Sequence, residues 1–126
     1  MQAHQQALIE RYIQAYNQFD VAGMAEKLHP SILFENISGD KVTLSLRGLQ
    51  AFREQAETAS SLFSSRQQEI TNWHFNGHEV IINIAYQAIM AIDFPNGLKT
   101  GESLALNGQS VFHFENDKII KIIDKS

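Results

Sequence analysis

Apolar residues recur at three- and four-residue steps near the start of the chain: Leu8, Tyr12, Ala15 and Phe19, with Ile9 and Tyr16 beside them. That is the period of an α-helix with one buried face. Asp20 can accept from free backbone N–H groups, so it caps a second, short helix predicted over Val21–Leu28. Pro30 would end that helix, because the residue before a proline is driven out of the α region. The period then shortens to two. Ser31–Glu35 (SILFE) and Val42–Leu46 (VTLSL) read as a small hairpin turning at Gly39-Asp40. Gly48 interrupts the extended pattern. Leu49, Phe52, Ala56 and Ala59 then mark the apolar stripe of a third helix, with Arg53, Glu54 and Glu57 outside.

From Arg66 onward the chain reads as strands. The candidates are Arg66–Phe75, His78–Ile92, Lys99–Phe114 and Lys118–Asp124, with a bulge foreseen at Gly108. Asn76-Gly77, Pro95-Asn96-Gly97 and Glu115-Asn116-Asp117 supply the turns. Tight connections force consecutive strands to pair, which makes a four-stranded meander. The predicted fold is α+β: a cone-shaped roll of three N-terminal helices on one face of a strongly curved antiparallel sheet. About six strands are expected, the last four being the meander. Residues 1–126 form one domain, as the length suggests.

Composition narrows the classes of function. The formal net charge is -4 and there is no Lys/Arg block, so no nucleic-acid partner is expected. There is no cysteine, which excludes thiolate chemistry and disulfides and fits a cytoplasmic protein. The first residues lack a basic region followed by an apolar run, so they read as a helix and not a signal peptide. The longest strongly apolar stretch, Val80–Ile92, contains Asn83 and Gln87 and is too short to span a bilayer, so no membrane partner is expected. His74 and His78 flank a turn but have no third ligand beside them, so no metal and no cofactor are expected.

The order of elements resembles the nuclear transport factor 2-like superfamily, with its cystatin-like cone fold, and within it the SnoaL-like (polyketide-cyclase-like) branch. Tyr12 and Tyr16 in the first helix carry the resemblance, as do Leu28-His29-Pro30-Ser31-Ile32-Leu33-Phe34-Glu35 and Arg47-Gly48-Leu49 with Phe52. Ser110-Val111-Phe112-His113-Phe114 leads through Asn116-Asp117 into Lys118-Ile119. The resemblance implies a pocket at the mouth of the cone and a homodimer formed through the outer sheet face. Asn83, Gln87, Asn107, Gln109 and His113 would supply that face. Such a scaffold holds several chemistries and also proteins without catalysis, so the fold does not name the reaction.

The resemblance also implies where catalytic groups would stand. An isomerase-like base would fall on Glu35 or on Asn36, and an amide cannot serve as that base. The buried acid of the long strand would fall on Ser110, which lacks a carboxyl group. Tyr12 or Tyr16 would hold the oxyanion. An epoxide-hydrolase-like Asp–Arg–Asp arrangement is not visible, because Arg47, Arg53 and Arg66 read as lying at element ends or on an outer helix face.

Three functions follow as expectations. The first is a domain that binds a small apolar or aromatic molecule, of unassigned reaction. Its pocket would be built from Leu33, Phe52, Leu62, Phe63, Trp73, Leu106 and Phe112, with Tyr12, Tyr16, Glu35 and Ser110 as polar contacts. The second is an isomerase, cyclase or dehydratase that abstracts a proton, with Glu35 or His29 as base and Tyr12 or Tyr16 as oxyanion donor. The third is a non-catalytic dimerising or protein-binding module with a filled interior.

Overall fold

The computed structural model describes residues 2–95 and 97–126. Its elements are α1 (Gln2–Asn17), α2 (Val21–Ala25), β1 (Leu28–Ser38), β2 (Lys41–Arg47), α3 (Leu49–Ser60), β3 (Phe63–Asn76), β4 (Glu79–Met90), β5 (Ser103–Glu115) and β6 (Lys118–Lys125). The three helices, the hairpin and the meander are those the periodicity predicts. Asn96, in the predicted turn with Pro95 and Gly97, lies outside the described residues. The short helix stops at Ala25, earlier than foreseen. Pro30 therefore does not end it but lies inside β1.

The expected sheet needs correcting. The six strands are ordered β2-β1-β6-β5-β4-β3, and β1 runs parallel to β6. The sheet is mixed, and it is not a strongly curved antiparallel cone. It is open, with β2 and β3 as its two edges. Strand length alone does not roll a sheet. Closure requires the edge strands to pair with each other, and here the β1–β2 hairpin joins through β1 to β6.

Alternation sorts the strands into two faces. Val80, Ile82, Ile84, Ala88 and Met90 of β4 are buried, as are Ser110, Phe112 and Phe114 of β5. The helices cover this face with Leu8, Ile9, Tyr12, Ile13, Phe52 and Ala56. Strand β3 changes phase between Ile70 and Asn72. The irregularity keeps Arg66, Gln68 and Ile70 on the helix side and then Trp73 and Phe75 as well. The bulge foreseen at Gly108 is absent, since β4 and β5 keep one register from Glu79↔His113 to Ile89↔Ser103. Gly108 serves a close approach instead: a Cβ there would stand 2.9 Å from the Lys125 carbonyl oxygen. At the β3–β4 turn, Gly77 has φ +63°, a value that L side chains rarely adopt.

Asn83, Gln87 and Asn107 are exposed on the other face, with Gln109 and His113 half-buried. Gln109 Nε2 donates to Asn83 Oδ1 at 3.4 Å, and His113 Nε2 lies 3.2 Å from Glu79 Oε2. No described helix is long and apolar enough to cross a membrane.

Candidate functional site

Two cavities adjoin at Tyr16 and Asp124. The outer one, about 490 Å³, is lined by Tyr16, Ile37, Phe63, Tyr86, Leu106 and Ser110 among others. The inner one, about 170 Å³, is bounded by Tyr12, Met24, Phe34, Phe52, Ala56 and Arg66. Tyr16, Asn36, Gln68 and Asp124 line both. The outer volume is in the range of small-molecule sites.

Asp124 is the carboxyl that lines both cavities, and strand pairing explains its position. Ser110 of β5 and Asp124 of β6 are register partners. The Ser110 hydroxyl donates to Asp124 Oδ1 at 2.7 Å. Position 110 has no carboxyl, but one stands beside it on the residue opposite. Burial pushes the Asp124 carboxyl up to about 6, and the Ser110 hydrogen bond pulls the other way. A carboxyl with that pKa can both take and return a proton near neutrality.

Three tyrosines line the two cavities. Tyr12 is buried, with its ring edge-on to Phe112 at 5.7 Å. Burial, then the charge of Asp124, holds its hydroxyl well above the ordinary value. The Tyr16 hydroxyl donates to the Tyr86 hydroxyl at 3.0 Å. Burial pushes both of these up too, so all three stay protonated donors.

Arg66, expected at an element end, is 5% exposed and lines the inner cavity. Its placement has local causes. Asn17, the last residue of α1, bonds both backbone groups of Gln68 on the edge strand β3: Nδ2 donates to the carbonyl at 3.1 Å, and Oδ1 accepts from the N–H at 2.7 Å. The side-chain amide thereby takes the place of a neighbouring strand. Two residues on, Phe19 has φ +58°, an uncommon value for a bulky residue. The chain turns there so that the Phe19 ring covers the Arg66 guanidinium at 4.5 Å, with the Tyr16 ring on it at 3.7 Å. Arg66 Nε donates to the Tyr16 carbonyl at 3.0 Å.

Of the residues expected to bind a ligand, Tyr12, Tyr16, Phe52, Phe63, Leu106 and Ser110 line one cavity or the other. Leu33, Leu62, Trp73 and Phe112 are not among the lining residues. Trp73 stacks on Phe75 at 5.6 Å, and Phe112 is fully buried in the core. Glu35 lies between Phe34 and Asn36 in sequence and in the opposite phase of β1. It accepts from Ser45 Oγ at 3.2 Å on β2. His29 accepts from the Ser31 N–H at 3.0 Å, and its Nε2 lies 3.3 Å from Glu115 Oε2, at the start of β1. Asn36, the other alternative for the base position, lines both cavities.

Asp124, Arg66, Gln68 and Tyr86 were not foreseen as site residues. Phase would have found three of them: Tyr86 follows Val80, Ile82 and Ile84 by twos, Asp124 follows Ile122, and Gln68 precedes Ile70.

Residues 9–122 match the family model described as SnoaL-like domain. Among curated proteins, none matches by sequence. A candidate polyketide cyclase from Xanthomonas campestris pv. campestris superposes with a TM-score of 0.84 at 16% identity, covering 98% of this chain and 90% of that one. TsrD from Streptomyces laurentii gives 0.81 at 17% identity, covering 98% and 88%. AclR, a candidate hydroxylase from Streptomyces galilaeus, gives 0.77 at 20% identity, covering 97% and 87%. At these identities the likeness shows the fold.

Proposed function

The chain belongs to the SnoaL-like domain family, and from that premise we propose that it binds a small, largely apolar oxygenated molecule in the two cavities and moves a proton on it through Asp124. The observation that carries the reading is the placement of Asp124. Its carboxyl lies in the wall common to both cavities, bonded to Ser110 and desolvated enough to titrate near 6. Apolar walls from Phe34, Phe52, Phe63 and Leu106 suit a carbon skeleton. The protonated hydroxyl of Tyr12 suits a ligand carbonyl whose oxygen gains charge as the proton leaves, and Tyr16 would join it by turning its proton from Tyr86 to the ligand. The reaction class is proton abstraction next to a carbonyl, as in an isomerase, cyclase or dehydratase. Glu35 and His29 are weaker bases for it, because neither lines a cavity. A structural relative bearing the name polyketide cyclase accords with such chemistry. Pairing of two copies through the outward amide-rich face around Asn83 and Gln109 completes the proposal, and light scattering reads it directly.

The test is deuterium uptake from D₂O at the activated carbon of cyclic β-keto esters and 1,3-diketones, followed by proton NMR. The wild-type chain is expected to accelerate exchange over buffer, and Asp124→Asn to lose about 10²- to 10⁴-fold of that rate, the usual contribution of a positioned base. No acceleration by the wild type across the series, or full activity in the variant, overturns the reading.

A further inference from the structure

Arg66 has a charge that the protein leaves unanswered. The side chain is 5% exposed, and among the described residues no carboxylate forms an ion pair with it. Its Nε is used on the Tyr16 carbonyl, and two rings cover its faces. Its Nη2 is buried without a hydrogen-bond partner. Stacking on rings offsets part of a cation's desolvation but supplies no acceptor in the guanidinium plane. A buried charge without a counter-charge, and with one of its N–H groups unpaired, is costly.

Gln68 shows the complementary want. It is two residues away on the same strand face and lines the same inner cavity. Its Oε1 is buried with no donor. One wall of the 170 Å³ cavity therefore lacks an acceptor for a cation and a donor for a carbonyl. Asp124 lines that cavity too, but its recorded bond is to Ser110, and it makes no ion pair with Arg66.

We propose that the inner cavity is an oxyanion subsite, in which Arg66 Nη2 donates to an anionic oxygen of the ligand and Gln68 Oε1 accepts from a hydroxyl beside it. The ligand class is a hydroxy-carboxylate or enolised hydroxy-carbonyl on a small ring, entering oxygen-first past Tyr16 and Asp124. The inference rests on the cavities being a ligand site, as proposed above. It concerns recognition of charge by β3, whereas the deuterium-uptake test reads proton transfer by Asp124, so the two can fail separately.

The experiment uses the full chain and three probes of one shape: benzamide, benzoate and salicylate, titrated by calorimetry at one fixed pH. Benzoate is expected to bind about tenfold or more tighter than benzamide, the discrimination that one charge-assisted bond supplies. Salicylate, which adds the donor for Gln68, is expected to bind several-fold tighter again. In ¹H–¹⁵N spectra the Arg66 Nε–H signal, held by the Tyr16 carbonyl, should shift with benzoate and not with benzamide. Gln68→Glu brings a carboxylate to the guanidinium. It should raise thermal stability and abolish the preference for benzoate. Gln68→Leu should keep the benzoate preference and lose that for salicylate. Arg66→Met is not needed, so a variant that fails to fold cannot decide the matter. Equal binding of benzamide and benzoate overturns the oxyanion subsite while leaving a neutral-ligand site standing. Absence of binding by all three overturns it as well, and leaves water as the partner of both atoms.

Discussion

The Ser110 hydroxyl donates to Asp124 Oδ1 at 2.7 Å across the β5–β6 pair. This bond favours the ionised carboxylate, so it opposes the burial that raises the pKa. Ser110→Ala should therefore move the Asp124 midpoint above about 6, measured by carboxyl ¹³C chemical shift. Loss of a hydrogen bond to a charged group should also lower stability at neutral pH by roughly 1–3 kcal/mol. A midpoint that falls in the variant would contradict this account.

Stability should depend on pH through the same residue. Its carboxyl titrates near 6 in the folded chain against an ordinary value of 3.8, so the folded state holds the proton more tightly. The contribution is fully present below about pH 4 and is lost as pH rises through about 6, to a total of about 3 kcal/mol. Asp124→Asn removes this dependence. Urea unfolding of both proteins should give a difference that grows in the variant's favour between about pH 4 and 7. Other titrating groups largely cancel in the comparison. A difference constant across that window would sink the assignment.

Tyr12, Tyr16 and Tyr86 are all the tyrosines of the chain, and all three hydroxyls are raised chiefly by burial. Ultraviolet titration of the folded protein should therefore show almost no tyrosinate near pH 10, where the chain unfolded in guanidinium is about half ionised. The folded state binds these protons more tightly, so stability is lost as pH rises past 10. A normal folded-state titration of even one tyrosine would show an exposed hydroxyl.

Asn17 holds the end of α1 to the edge strand through two bonds to the Gln68 backbone. Asn17→Ala should cost roughly 2 kcal/mol and speed amide exchange at Gln68. Asn17→Asp keeps the acceptor and loses the donor, so its cost should be smaller. Equal stability of Asn17→Ala and wild type would remove this contact from the account of how Arg66 is placed.

Local pattern was enough for the elements. Leu8, Tyr12 and Ala15 predict α1, and Asn76-Gly77 predicts the β3–β4 turn, because each depends on neighbours in sequence. The β1–β6 pair is different. It joins Glu35 to Ile123 in parallel, and no turn chemistry marks it. The curved cone is an expectation from strand length, and the tight connections constrain β3 to β6 but say nothing about where the hairpin joins. The site failed for a related reason. Asp124 ends the run IIKIID and resembles a solvated strand terminus. Its burial comes from β1 and from the helix carrying Tyr12, far away in sequence. Arg66 looked like a surface charge because its cover, the Phe19 ring, depends on an unusual backbone angle that sequence does not announce.

The parallel pairing of β1 with β6 also has a consequence for the order of assembly. Residues near 35 must wait for residues near 123 before the middle of the sheet exists. During synthesis, helices and hairpins can form as they emerge, but the β1–β2 hairpin stays detached until the strand bearing Asp124 arrives. Closing so long a loop is slow relative to local contacts. The acid therefore comes into place only with the last strand, and a ribosome-bound chain cut short before it would have the tyrosines without their carboxylate.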